Sequence, residues 1–316
     1  QWIEKFKGIR AFFRLIPYLY KLWQASHSVQ IFHVMANSGW SWHLFSAPVI
    51  WIAYLRNKPV IINYRGGEAE AFLNKSIFWV RPSLKRVSAI IVPSAFLKHV
   101  FNQQGFDVTI VPNIIDLDRF AAQTQEWNVP KIENSPHIIL TRNLESIYDN
   151  ATAIRAFSIV KKNFPNAKLS IAGSGPEKLM LEQLVDDLNL VDSVTFLGRV
   201  DNTAINDLYR QADVMINTSL IDNMPISILE ALACKVPVVS TNVGGIPFLV
   251  KHDETALLVP PKNPGEIAEA IQHILTNPEK SRKMAEAGYE MVQHYAWKNV
   301  RTQLMEIYER TLSHRF

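Results

Sequence analysis

The stretch SLIDNMPISILEALACKVPVVS, residues 219–240, decides the fold. An apolar run, Val214-Met215-Ile216-Asn217-Thr218, leads into it and reads as a strand. A polar loop with Asp222 and Asn223 follows. Pro225 suits the first turn of a helix, where its missing N–H is not needed. The helix carries Glu230 and stops before Pro237, and a second β-like run follows. The loop therefore presents backbone N–H groups at a helix start, on the ligand edge of a sheet, which suits an anion. Asp222 lies in the loop and Glu230 about a turn and a half into the helix, so they can address different parts of one extended ligand.

The same alternation continues outward. Strand-like runs begin at His137 (HIILT), Leu169 (LSIAG) and Val194 (VTFLG), with helical patterns between them. Ile154, Phe157, Val160 and Phe164 share one helical face, and Leu181, Leu184, Val185 and Leu188 another. Residues 264–314 read as mostly helical. The first half has strands over 29–35, 59–64, 89–93 and 108–111, and helices over 42–55 and 95–104. Residues 2–23 read as an amphipathic helix interrupted near Pro17, which covers a sheet or rests a basic face on anionic lipid. The polar residues 121–136 are the expected linker. Strands that are apolar throughout fit parallel sheets buried on both sides. The prediction is an α/β chain of two doubly wound, Rossmann-like domains, with ligands beyond the carboxyl ends of the strands and in the cleft between domains.

Composition excludes much else. At 316 residues, 48% hydrophobic and 20% charged, the chain is ordinary globular protein with room for two domains. Cys234 stands alone, which excludes an internal disulfide framework and cysteine-built metal cages. Residues 1–130 carry 14 Lys and Arg against 7 Asp and Glu, while residues 131–316 carry 19 against 22. The basic half suits an anionic partner. Without Lys/Arg runs and interleaved aromatics, nucleic acid is not expected. The longest apolar run, 44–55, falls short of the roughly twenty residues a membrane span needs. Gly173-x-Gly175 is half a dinucleotide fingerprint, with Lys178 where the third glycine belongs.

Residues 219–240 resemble the signature of family 4 glycosyltransferases, the retaining enzymes of the GT-B fold: Glu, seven residues, Glu, an Ala-rich helix, then Gly-x-Pro-Val. Asp222 stands for the first Glu and Glu230 for the second. Five other segments match in order: Ala89-Ile90-Ile91-Val92-Pro93-Ser94, Val111-Pro112-Asn113-Ile114-Ile115-Asp116, Ala172-Gly173-Ser174-Gly175-Pro176, Phe196-Leu197-Gly198-Arg199-Val200 and Val243-Gly244-Gly245-Ile246-Pro247. The resemblance implies metal-independent, retaining transfer of a sugar from a UDP- or GDP-linked donor to a hydroxyl acceptor, in polysaccharide or glycolipid assembly. The nucleotide-sugar is a co-substrate, and no cofactor is implied. Asp222 would orient the donor sugar and Glu230 the ribose. Arg142 and the loop of Asn223, Met224, Pro225 and Ile226 would hold the diphosphate, beside Gly173, Gly175 and Val200. Ser38, Gly39, Trp40 and Glu68 would line the acceptor side, for a saccharide or lipid-linked saccharide. A cytoplasmic enzyme with peripheral contact at the inner membrane face is expected. Its domains would cover 1–128 and 129–296, with a helix over 297–316 returning to the first. The chain opens at Gln1, and the resemblance implies that a first strand and a Gly-rich loop lie upstream, leaving the first domain incomplete and this fragment inactive.

Departures from the pattern carry information too. The family's Gly-Arg, then Lys-Gly, appears here as Thr141-Arg142 and then Asp149-Asn150, so the Lys is missing. Arg65, in Arg65-Gly66-Gly67-Glu68, would supply the lost charge. Lys235 and Ala256 replace usual glycines. Asp116-Leu117-Asp118 reads as a helix cap rather than a metal pair, and no metal is expected. Alternatives are a non-catalytic, degenerate glycosyltransferase-like partner subunit, a GT-B-type sugar-nucleotide epimerase or phosphorylase, and last a nicotinamide-dependent oxidoreductase, which would want the full glycine fingerprint.

Overall fold

The structure, a computed structural model, describes residues 7–120, 135–201 and 203–313, with side chains from Leu15 onward. The start of the expected 2–23 helix and nearly all of the expected linker lie outside the described residues. The chain divides into two compact units, Gln1–Pro112 with Arg301–Phe316, and Asn113–Val300.

The first unit runs α1 (Lys7–Ala25), β1 (Phe32–Ala36), a π-helical turn (Trp42–Ser46) leading into α2 (Ala47–Leu55), β2 (Val60–Tyr64), α3 (Ala69–Leu84), β3 (Ala89–Val92), α4 (Ala95–Gln103) and β4 (Thr109–Ile110). Its four strands are parallel in the order β1-β2-β3-β4. Every residue of β2 is buried, whereas Met35 on the edge strand β1 is exposed. Ser94 ends the β3 loop and caps α4, accepting from the Leu97 amide at 3.3 Å. The break expected at Pro17 does not occur, because α1 runs through it. Pro17 is exposed, Tyr18 and Leu22 pack on the core, and the Tyr18 hydroxyl donates to the Phe45 carbonyl at 3.1 Å. That packing outweighs the hydrogen bond the proline removes.

The second unit runs α5 (Leu117–Phe120), β5 (His137–Thr141), a 3-10 turn (Ser146–Tyr148), α6 (Asn150–Asn163), β6 (Lys168–Ala172), α7 (Lys178–Asp187), β7 (Val194–Gly198), α8 (Ala204–Arg210), β8 (Val214–Asn217), α9 (Ile226–Ala233), β9 (Val238–Thr241), α10 (Ile246–Leu249), β10 (Leu257–Val259), α11 (Pro264–Thr276) and α12 (Pro278–Val292). The last helix, α13 (Trp297–Ser313), crosses the boundary between the units at Arg301. All six strands are parallel, ordered β10-β9-β8-β5-β6-β7. The sheet is packed on both faces: Ile138, Leu140, Val214 and Ile216 enter one core cluster, and Ile139 and Met215 the other. Strands β8 and β9 are wholly buried, but β7, at the edge, exposes Thr195 and Leu197, so burial on both sides holds only inside the sheet. The chain fills the sheet outward from β5 through β6 and β7, then returns to β5's other flank with β8. A switch point therefore lies between β5 and β8, where loops leave in opposite directions and open a crevice.

Pro225 sits one step earlier than the first turn expected for it. It is the cap residue of α9, at φ −66° and ψ 120°, and its carbonyl accepts from the Ile228 amide at 3.2 Å. At the other end the Val236 amide reaches the Ala231 carbonyl at 2.9 Å, and Lys235 between them takes φ +57°. This closure favours glycine, since a Cβ is crowded in the left-handed region. The Lys235 ammonium, 4.8 Å from the Tyr289 ring centroid, offsets part of that cost. Lys235→Gly is expected to raise stability by about 0.5–1 kcal/mol in urea unfolding, with the slope unchanged. Cys234, which ends α9, is partly buried. Its thiol donates to the Phe120 carbonyl at 3.4 Å, and burial pushes its pKa up to about 12.

Candidate functional site

The crevice at the switch point is built from the loop after β5 and the loop after β8. Arg142 directly follows β5, Asp222 lies between β8 and α9, and the two form an ion pair with side chains 12% exposed. The guanidinium also lies 4.0 Å from the Tyr148 ring centroid. Its Nε is buried without a hydrogen-bond partner. Burial pushes the Asp222 carboxyl above its ordinary value, against Arg142 and the amides of Met224 and Asn223. The Met224 amide donates to Asp222 Oδ1 at 3.2 Å. Two of the amides expected to meet a diphosphate are therefore turned to Asp222 in this structure. The Asn113 side-chain amide donates to the Met224 carbonyl at 2.9 Å and fixes the loop from below. Pro225 is buried, and Ile226 is exposed at the helix start.

Glycines bring the loops close. A Cβ on Gly173 would overlap the Arg142 carbonyl oxygen, and one on Gly245 would overlap that of Asn223. Gly175 presses on Leu144 in the same way. The Gly173-x-Gly175 pair is thus a packing device that lets the turn after β6 lie on the turn after β5.

A cavity of about 600 Å³ opens at the carboxyl ends of β5, β6 and β7. Its wall includes Arg142, Gly173, Arg199, Val200, Ile205 and Glu230. The size and place suit a small ligand. Of the expected donor residues, Arg142, Gly173, Val200 and Glu230 meet there. Gly175, Asn223, Met224, Pro225 and Ile226 do not line it, and Asp222 is tied to it through its ion pair with Arg142.

Glu230 is held by a residue that sequence reading missed. The hydroxyl of fully buried Tyr209 donates to Glu230 Oε2 at 2.9 Å, and the Thr141 hydroxyl lies 2.7 Å from it. Burial pushes the Glu230 carboxyl up, partly opposed by this bond and by the charges of Arg119 and Arg142. Tyr209 carries no motif; it sits in an ordinary amphipathic helix. Arg199 lay inside a matched segment without a role. Tyr148 was missed because the expected register is off by one. Asp149 has φ +45° and caps α6, accepting from Thr152 Oγ1 at 2.8 Å. A glycine fills such a position most cheaply. Tyr148, and not Asp149, therefore occupies the place of the expected lysine.

The remaining expected residues belong to the first unit. Arg65 follows β2, donates from Nε to Asn63 Oδ1 at 3.1 Å, and has its pKa lowered by burial. The Ser38 hydroxyl lies 2.8 Å from that of Tyr64, whose pKa burial pushes up to about 12. Gly39 takes φ +69°, Trp40 is 78% exposed, and Glu68 is exposed ahead of α3. Asp116 caps α5, accepting from the Arg119 amide at 3.2 Å. Among the described residues, no three His, Cys, Asp or Glu side chains are grouped to hold a metal ion.

Comparison with known proteins follows the same division. The pattern of the glycosyl transferases group 1 matches residues 122–291, more than half of the chain, and that of glycosyltransferase family 4 matches residues 2–119. N-acetyl-alpha-D-glucosaminyl L-malate synthase of Bacillus anthracis is 34% identical over 156 residues, 49% of this chain and 39% of that protein, so the match spans well under two thirds of that relative. Phosphatidyl-myo-inositol mannosyltransferase of Mycobacterium leprae is 25% identical over 264 residues, 82% of this chain and 69% of that one. Among solved structures, HepE of Anabaena in complex with UDP-glucose has a TM-score of 0.79 at 20% identity, over 93% of this chain and 82% of that one, a likeness of GT-B fold.

Proposed function

We propose that this chain, which belongs to the glycosyl transferases group 1 family, moves a sugar from a nucleotide-diphospho-sugar to a hydroxyl of a saccharide or lipid-linked saccharide, with retention at the anomeric carbon. The observation that carries the reading is the cavity at the carboxyl ends of β5, β6 and β7, lined by both Arg142 and Glu230. Arg142 neutralises the diphosphate, Glu230 accepts hydrogen bonds from the ribose, and Arg199 adds a second cation at the mouth. In the transfer, the acceptor oxygen bonds to the anomeric carbon from the face the diphosphate leaves. The bond to the phosphate oxygen breaks, and that oxygen takes the acceptor's proton. Asp222 orients the sugar. Charge is met by side chains, with no metal or other cofactor. Ser38, Gly39, Trp40 and Glu68 serve the acceptor, and Arg65 lends positive charge.

Calorimetric titration with a panel of UDP- and GDP-sugars tests this. One nucleotide series should bind, and Glu230→Gln should weaken it about 10–100-fold. Binding by neither series, nor by the free nucleoside diphosphates, would overturn the reading. Because ribose hydroxyls favour the ionised carboxylate and burial raises the Glu230 pKa, affinity should fall on acidification, beginning above the ordinary Glu value of about 4.3. The glutamine variant should lack that limb. Stability has the opposite sign: the raised folded-state pKa stabilises the fold at acid pH, and this contribution is lost as pH rises through it.

Tyr148 supports Arg142 through its ring face. Tyr148→Phe should therefore keep donor affinity within about twofold, while Tyr148→Ala should lower it about three- to tenfold in the same titration.

The Arg142–Asp222 pair also favours one rival, a non-catalytic partner subunit, because the cation is already neutralised. That rival binds nucleotide without turnover, and Asp222→Asn would leave pathway activity unchanged.

A further inference from the structure

The first unit turns large apolar side chains outward where its own core does not use them. On α3, Lys75, Phe78, Trp79 and Pro82, with Arg86 just past the helix end, recur at steps of about three or four residues and form one stripe. Phe78 and Trp79 are 77% and 72% exposed. On α2, Trp51, Tyr54 and Leu55 make a second exposed stripe, while Ile50 and Ala53 of the same helix are buried. The stripes adjoin. The Trp51 indole donates to Ser83 Oγ at 3.1 Å, and the Arg86 guanidinium lies 4.1 Å and 5.0 Å from the ring centroids of Trp51 and Tyr54. On α1, which packs against α2, Tyr20 and Trp23 are also exposed, and Arg56 lies 5.0 Å from the Trp23 ring. Scattered exposed rings need no explanation, but a ledge shared by three adjoining helices does.

Charge selects the occupant. Residues 15–86 carry eight Lys and Arg against two Glu, and several of these cations are interleaved with the rings. A second copy would set cation against cation across a self-matching interface. Trp and Tyr edged by Arg and Lys match a lipid surface, where rings settle at headgroup depth and cations reach phosphates. The indole of Trp51 is already bonded within the protein, which lowers the cost of its entering that layer.

We infer that this aromatic ledge docks the first unit on an anionic lipid bilayer, with Phe78 and Trp79 at the acyl boundary, Lys75 and Lys85 on lipid phosphates, and Arg86 bracing the Trp51 and Tyr54 rings. Its purpose, bringing the chain to a lipid-linked acceptor, rests on the proposed transfer; the docking itself does not. No described helix is long and apolar enough to cross a membrane.

Co-sedimentation of the chain with vesicles of phosphatidylcholine, alone or with about one-third phosphatidylglycerol, tests the inference. The chain should favour the anionic vesicles and release with salt. Phe78→Ser with Trp79→Ser should weaken binding at least about tenfold. Lys75→Glu with Lys85→Glu should abolish the preference for phosphatidylglycerol. Both pairs are exposed and should keep the circular dichroism spectrum and nucleotide binding of the parent. Equal partition of parent and Phe78/Trp79 variant, or no binding to either vesicle, overturns the inference. So does a lipid-free dimer that the variant loses, which would assign the ledge to a second copy. Failure on vesicles with nucleotide binding intact leaves the transfer reading standing; failure of nucleotide binding alone leaves the docking standing.

Discussion

Arg142→Met is expected to lower the turnover of the proposed transfer about a thousandfold, because that transfer assigns Arg142 to the charge developing on the leaving diphosphate. Nucleoside-diphosphate affinity should fall with it. The substitution has a second effect. Asp222 loses its ion-pair partner while remaining buried, and burial already pushes its carboxyl pKa up. The fold should lose stability at neutral pH and recover as acid protonates Asp222. Arg142→Met with Asp222→Asn separates the two effects. It removes the stranded charge and should restore most of the stability, while turnover stays low. Arg142→Lys should not rescue, since an ammonium cannot lie flat on the Tyr148 ring and bond Asp222 together. Initial rates and urea unfolding on the three variants decide the matter. Turnover within tenfold of the parent for Arg142→Met would remove Arg142 from the reaction.

Gly173→Ala should cost about 3 kcal/mol of stability and abolish donor binding, although it adds one methyl group. The new Cβ meets a backbone carbonyl, that of Arg142, and backbone cannot rotate aside as a side chain does. Neither partner is free to retreat. Thr141 pairs with Ala172 in the β5–β6 register, and the Gly173 amide donates to the Gly198 carbonyl at 2.8 Å. The strain therefore falls on Arg142, the residue to which the proposed transfer assigns the diphosphate. Gly265→Ala is the matching control. A Cβ there meets only the Asn263 side chain at 3.4 Å, within the first turn of α11, and should be neutral or slightly stabilising. Thermal unfolding and nucleotide titration on both variants measure the contrast. Equal behaviour would show that the turn after β6 yields.

How far the sequence could be read depended on whether a residue's role was local. The 219–240 stretch declared itself because Pro225, Asp222 and Glu230 sit at a strand-to-helix junction, and such junctions are where parallel sheets bind ligands. Arg142 was legible as the residue ending an apolar run. Tyr209 was not: its hydroxyl meets Glu230 only after α8 packs beneath α9, and nothing at positions 204–210 distinguishes it from core. Tyr148 was hidden by Asp149, which adopts a left-handed conformation without a glycine to announce it. Pro17 misled in the opposite direction, since local rules break a helix that tertiary contacts keep whole. The aromatic ledge was half visible. The basic excess showed in the counts, but the rings on α2 and α3 became one surface only when those helices lay side by side.

The partly buried thiol of Cys234 has a use in the laboratory. With its pKa near 12 it offers almost no thiolate at neutral pH, and alkylating reagents should pass it by. It is also the chain's single cysteine. A probe attached through Phe78→Cys would therefore label one place without any prior removal of native thiols. Its fluorescence would report directly whether that spot leaves water when vesicles are added.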